Sequence, residues 1–128
     1  MSLDFSFPKK DRLSGNKLMR TVFDKGETTR SFPFLFYSMP LLSEREGVFK
    51  VAFGVSKKKN KKAVVRNKIK RCIKETYRLS KPFFVGKRKQ SYAIIIVYLA
   101  KDLEPQEFLS KKINEFFFRL INSNNEIN

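Results

Sequence analysis

The sequence contains no histidine, no tryptophan and one cysteine, Cys72. Without histidine the chain lacks the side chain most used for acid–base catalysis near neutral pH. A lone cysteine can form no internal disulfide, which fits a reducing compartment. Acids are scarce: 12 Asp and Glu stand against 28 Lys and Arg, a formal net charge of +16. A metal nuclease needs converging carboxylates. The nearest cluster, Asp102, Glu104 and Glu107, falls at an expected helix start, where it complements the macrodipole. No catalytic and no metal-binding residue is therefore assigned to the chain itself. The five glycines are scattered and form no phosphate-cradling loop. The longest apolar run, Tyr92 to Ala100, is too short to span a bilayer. The opening MSLDFSFPKK lacks the order of a signal peptide, so a cytoplasmic location is expected. No internal repeat is visible.

What is present is enough for a folded domain. Hydrophobic residues make up 41% of 128 residues, with 14 Phe. One domain spanning 1–128 is expected, with 1–10 and 122–128 flexible. Leu18, Met19, Val22 and Phe23 follow helical spacing. Ser14 or Asn16 is placed to cap that helix, and Gly26 to end it in the left-handed conformation. In SFPFLFYSMP, alternation puts Phe32, Phe34 and Phe36 on one face and Leu35, Tyr37 and Met39 on the other. Val48–Val55 reads as an antiparallel partner strand after the turn Leu41–Gly47.

A helix is expected from about Ala63, with Val65, Ile69, Cys72, Ile73 and Thr76 on its apolar face. Tyr92–Leu99 is apolar on both faces and β-branched, as in a covered strand. Strand, helix and covered strand together imply a parallel crossover. A last helix is expected from about Leu103 to Ile121, capped by Asp102. Its apolar face would carry Phe108, Leu109, Ile113, Phe116, Phe117 and Leu120. The order predicts an α+β fold, a two-layer sandwich of about four strands in a mixed sheet with three helices.

Charge is concentrated. Ten of the 28 basic residues lie between Lys57 and Lys74, with no acid among them. Charge runs are commonly solvated faces. Here, however, helical geometry gathers Asn67, Lys70, Arg71, Lys74 and Arg78 opposite Ile69, with Arg66 and Lys68 flanking. A solubilising helix would mix signs; this one accepts self-repulsion. Val64 and Val65 read as anchors turning that face outward. Such an arc favours a polyanion, with nucleic acid ahead of an anionic membrane surface. Phe and Tyr could add stacking on unpaired bases, although most Phe must be core.

FGVSKK (Phe53–Lys58) followed by AVVRNKIKRCIKETYR (Ala63–Arg78) resembles the protein component of bacterial ribonuclease P. The opening PKKDRLSGNKLMRTVFDKG and the strand YAIIIVYLAK fit the same family in order. The resemblance implies a ribosomal-protein-S5-like fold whose βαβ crossover is left-handed, against the general rule. It implies a subunit of a ribonucleoprotein whose RNA removes the 5′ leader from precursor tRNA using RNA-held Mg2+. The protein would bind no cofactor tightly. It would need no membrane and no obligate protein partner. The partners implied are ribonuclease P RNA and the single-stranded leader of precursor tRNA. By position, RNA contacts fall to Lys57, Lys58, Lys61, Lys62, Arg66, Asn67, Lys68, Lys70, Arg71 and Lys74. The leader cleft falls to Met19, Phe23 and Tyr37. Lys68 stands where the family often has Arg, which keeps charge and loses the planar fork. The alternative is a ribosomal or other structural RNA-binding protein of the same fold, which needs no single-strand cleft.

Overall fold

The computed structural model describes residue 7 and residues 9–42, 47–84 and 89–122. Helix α1 (Asn16–Lys25) leads into strands β1 (Glu27–Ser31), β2 (Phe34–Leu41) and β3 (Phe49–Val55). Helix α2 (Ala63–Ser80), strand β4 (Ser91–Tyr98) and helix α3 (Gln106–Asn122) follow. The fold is α+β, a four-stranded mixed sheet in the order β1-β2-β4-β3 with three helices. β3 and β4 are parallel, joined through α2 as the strand–helix–strand order requires.

β4 decides the topology. Its pattern is buried on both faces, so it lies inside the sheet. It inserts between β2 and β3, pairing antiparallel with the first and parallel with the second. The expected hydrogen-bonded pairing of β3 with β2 is therefore corrected. Taking the centre covers both faces and both edges of the all-apolar strand, whereas an edge position would leave one side to water. β1, the polar segment ETTRS, is an edge strand that pairs with β2 through a two-residue turn at Phe32 and Pro33. Phe32 lies in that turn and is exposed, so it does not share the face of Phe34 and Phe36.

The two sheet faces are unlike. Phe34, Phe36, Phe49, Val51, Ile94, Ile96 and Tyr98 face α2 and α3 and form the main core. There Phe36 stacks on Phe116 at 4.0 Å and Phe84 on Phe117 at 4.2 Å. Each such side chain contributes about 1.5–3 kcal/mol by burial. Leu13, Val22, Ala93 and Ile95 form a smaller cluster under α1 on the other face, with Met19 and Tyr37 packed against it.

Phe7 lies within the 1–10 stretch expected to be flexible, yet it is buried edge-on against Phe53 and Tyr77. The Arg12 guanidinium donates to the Phe7 carbonyl at 3.1 Å, and Leu13 N–H donates to Val51 O at 3.0 Å along the edge of β3. Of the other residues expected to be flexible, Lys9 and Lys10 stand in a single 3-10 turn (Lys9–Asp11) and Asn122 ends α3, while 1–6, 8 and 123–128 lie outside the described residues.

Helix ends differ from expectation in three places. α1 is preceded by Gly15 at φ 94°, without a side-chain cap from Ser14 or Asn16. Gly26 is extended, not left-handed. Glycine is needed there for space, because a Cβ would collide with the Val22 carbonyl oxygen and meet Ser38 O at 3.1 Å. α3 starts at Gln106, later than expected, and Pro105 O accepts the first N–H bonds, from Phe108 and Leu109. Asp102 is no cap: its carbonyl accepts from the Tyr98 hydroxyl.

Candidate nucleic-acid interface

The loop between β3 and α2 is almost all lysine, yet it is anchored at one residue. Asn60 is 6% exposed. Its Nδ2 donates to Ala100 O at 2.9 Å, and its backbone N–H donates to Ser56 O at 3.1 Å. The Arg66 guanidinium then donates to Asn60 O at 3.1 Å and Lys61 O at 2.7 Å. With the loop pinned in this way, Lys57, Lys58, Lys59, Lys61 and Lys62 all stand exposed around it. α2 begins at once, with no side-chain cap and no acid in its first turn. Its first N–H groups thus add positive potential to the same end.

α2 divides lengthwise. Ile69, Ile73, Thr76, Tyr77 and Ser80 are buried. Asn67, Lys68 and Arg71 are exposed, and Arg66, Lys70 and Lys74 are partly so. The structure thus gathers all ten basic-segment positions expected to contact RNA onto the loop and the outer side of α2. Arg66 alone spends its guanidinium on the loop's own carbonyls. Arg78 is bonded to Glu75, and that bond holds the Glu75 carboxyl below its usual range. Val64 and Val65 are 79% and 40% exposed. The reading of the two valines as anchors is therefore corrected: the first turn of α2 projects past the sheet, and Ile69 is the first residue to reach the core.

The three expected cleft residues lie on the opposite sheet face. Phe23 of α1 is 44% exposed, and its ring stands edge-on to Tyr37 of β2 at 4.8 Å and 72°. Met19, one turn earlier, is half-buried in the small cluster. The register places Tyr37, Ile95 and Ala52 in one cross-strand row and Leu35, Val97 and Gly54 in the next. Gly54 leaves a flat floor, since a Cβ there would find only Val97 Cγ2, at 4.0 Å. A backbone or base could approach closely over it.

Sequence reasoning missed Asn60, Gly54 and Lys101. The lone amide among lysines and the single glycine within an apolar strand were signals for the first two. Lys101 had none, because only the fold carries the β4–α3 loop to the lysine loop. The Tyr98 hydroxyl fixes that loop by donating to Asp102 O and accepting from Glu104 N–H at 2.9 Å. Burial pushes the Tyr98 phenol above its usual range. Cys72 is a free, half-buried thiol on the α3 side of α2. Among the described residues, no three of His, Cys, Asp and Glu come together as a metal site, and no helix is long and apolar enough to cross a membrane.

The family model described as Ribonuclease P matches residues 7–120. The ribonuclease P protein component of Dictyoglomus thermophilum is 33% identical over 105 residues, covering 81% of each chain. That of Porphyromonas gingivalis is 30% identical over 103 residues, covering 79% of this chain and 75% of its own. Among solved structures, the Staphylococcus aureus RNase P protein superposes with a TM-score of 0.62 at 25% identity, covering 86% of this chain and 94% of that one. The Thermotoga maritima protein shares the fold with a TM-score of 0.67 at 19% identity, covering 84% and 96%.

Proposed function

The chain belongs to the ribonuclease P protein family, and from that premise we propose how its two surfaces divide the work. It is a subunit of the ribonuclease P holoenzyme, working with the ribonuclease P RNA in tRNA processing. The basic loop and α2 dock on that RNA. Lys57, Lys58, Lys61, Lys62, Lys68, Lys70, Arg71 and Lys74 meet phosphates, Asn67 offers its amide, and Arg66 shapes the loop. The cleft of Met19, Phe23 and Tyr37 takes the single-stranded 5′ leader of precursor tRNA. Leader bases would lie against exposed aromatic edges, an interaction that tolerates sequence variation because every base has a π-face. The subunit assists endonucleolytic removal of the leader, and hydrolysis falls to Mg2+ held by the RNA. The chain's own residues, without histidine and with dispersed acids, suit positioning and charge neutralisation. The reading sets the complex in the cytoplasm.

The observation that carries this proposal is the pairing of two unlike surfaces on one small sheet. A cationic helix backs one face, and on the other an exposed Phe23 stands edge-on to a half-buried Tyr37 beside a glycine-floored strip. A merely structural RNA binder needs the first and not the second. The test is reconstitution with ribonuclease P RNA and precursor tRNA at low magnesium. The protein should raise 5′ cleavage strongly, and more for a substrate with a leader of several nucleotides than for one trimmed to a single nucleotide. Unchanged cleavage would refute the function; an equal gain on both substrates would refute the cleft.

A further inference from the structure

A groove of about 380 Å3 runs between α2 and the start of α3. Lys68, Arg71 and Cys72 line it from α2, with Leu103, Gln106 and Leu109 opposite. It belongs neither to the leader cleft, which is on the other sheet face, nor to the residues assigned to docking, except at Lys68 and Arg71. Its size falls in the roughly 300–1,000 Å3 range of small-ligand clefts. A second groove, about 540 Å3, is lined by Lys58, Lys59, Lys61 and Lys62 of the loop, by Val65, and by Lys101 and Asp102, so that five lysines face one carboxylate. Val65, Lys68 and Cys72 lie on one side of α2 at helical spacing. The two grooves therefore follow a single line along the helix, cationic at the loop end and apolar-floored towards α3.

We propose that the α2–α3 groove receives one unpaired nucleotide of the RNA on which α2 docks. This inference rests on the docking reading above and adds an occupant to it. The lysine loop, Lys101 and Lys68 would hold the phosphates, and the base would enter over Leu103 and Leu109. Leu109 is buried and forms the floor, whereas Leu103 is 40% exposed, leaving apolar surface for the base to cover. Two carboxylates line the apolar end. Glu75 is occupied by Arg78, which offsets its charge. Glu104 repels a phosphate but accepts from an exocyclic amine, and Gln106 can both donate and accept. The acid therefore orients the nucleotide, base inward and phosphate towards the lysines.

Cys72 is the sole cysteine, so N-ethylmaleimide adds uncharged bulk to this groove alone. Binding to ribonuclease P RNA is then measured across a salt series for alkylated and unmodified protein, with melting recorded for both. Filling the groove should weaken binding roughly 5- to 30-fold, the worth of the apolar surface at Leu103 that a base would otherwise cover. The slope against salt should not change, because no cation has been removed. Leu103→Trp fills the same space from an exposed loop position and should act alike, so a fold disturbed at Cys72 does not decide the matter. RNA affinity unchanged in both filled proteins overturns the inference, while salt-dependent binding by the unmodified protein leaves the docking reading standing. No binding by the unmodified protein overturns both.

Discussion

Replacing Asn60 with Ala removes a side-chain tie between the lysine loop and the β4–α3 segment. The Ala100 carbonyl, on a buried residue, loses the donor that reaches it at 2.9 Å. A buried acceptor left unsatisfied costs about 1–3 kcal/mol. For a domain between the small and mid-size classes this corresponds to a fall in Tm of about 4–12 °C. All the lysines remain, so the number of phosphates they can neutralise is unchanged. RNA affinity should nevertheless fall, because the loop must now be ordered on binding. The discriminating assay is Tm together with the salt slope of RNA binding. Asn60→Ala should lower Tm and affinity while keeping the slope. Lys61→Ala, an exposed cation, should keep Tm and reduce the slope by roughly 0.7–0.9. An Asn60→Ala protein that melts like its parent would refute the anchoring argument. One that flattens the slope as Lys61→Ala does would show that Asn60 itself meets a phosphate.

Arg66→Ala and Arg71→Ala should separate in the same way: both weaken RNA binding, but only Arg66→Ala lowers stability, by about 1 kcal/mol, through its bonds to Asn60 O and Lys61 O. Urea unfolding of the two variants checks this. Phe23→Ala should lose the pair with Tyr37, worth about 0.5–1.5 kcal/mol. It should reduce affinity for precursor tRNA but not for mature tRNA, read by competition binding to the holoenzyme. The Tyr77 hydroxyl is buried and has no hydrogen-bond partner among the described residues, so Tyr77→Phe should be neutral or stabilising by up to about 1 kcal/mol. Burial, and secondarily the charge of Asp11, raise the Tyr77 phenol above its usual range. Its neutral form is thus favoured on folding. The parent should lose stability relative to Tyr77→Phe as pH rises above about 10, at up to about 1.4 kcal/mol per pH unit; parallel pH profiles for the two proteins would contradict this.

Much of the architecture was legible because it is written in short-range periodicity. Phe34 and Phe36 separate from Tyr37 and Met39 by alternation, and they face different cores. Ile69 and Ile73 set the buried side of α2 at 3.6-residue spacing. The two-sided apolarity of Ile94, Ile95 and Ile96 made β4 a covered strand. The candidate site was legible as composition and phase: the cations cluster opposite Ile69, and Phe23 shares a helix stripe with Met19. What was not legible has the opposite character. β1 is polar and carries no strand pattern of its own, since its pairing with β2 creates it. Val64 and Val65 look like anchors, but a residue is buried only if another element lies over it, and among the described residues none covers the first turn of α2.

The sequence by itself determined the class of partner and the direction of the charge. Net charge and helical phase are sums over the chain and its near neighbours, and they hold whatever the fold. It also determined that acid–base chemistry by histidine is absent. Tertiary structure alone decided that β4 separates β2 from β3, that Phe7 closes the core, and that Asn60 reaches Ala100 forty residues away. It alone carried Lys101 to the lysine loop and opened a groove beside Cys72. These depend on which surfaces meet at long range, where the gain from covering apolar strands outweighs local pairing preferences.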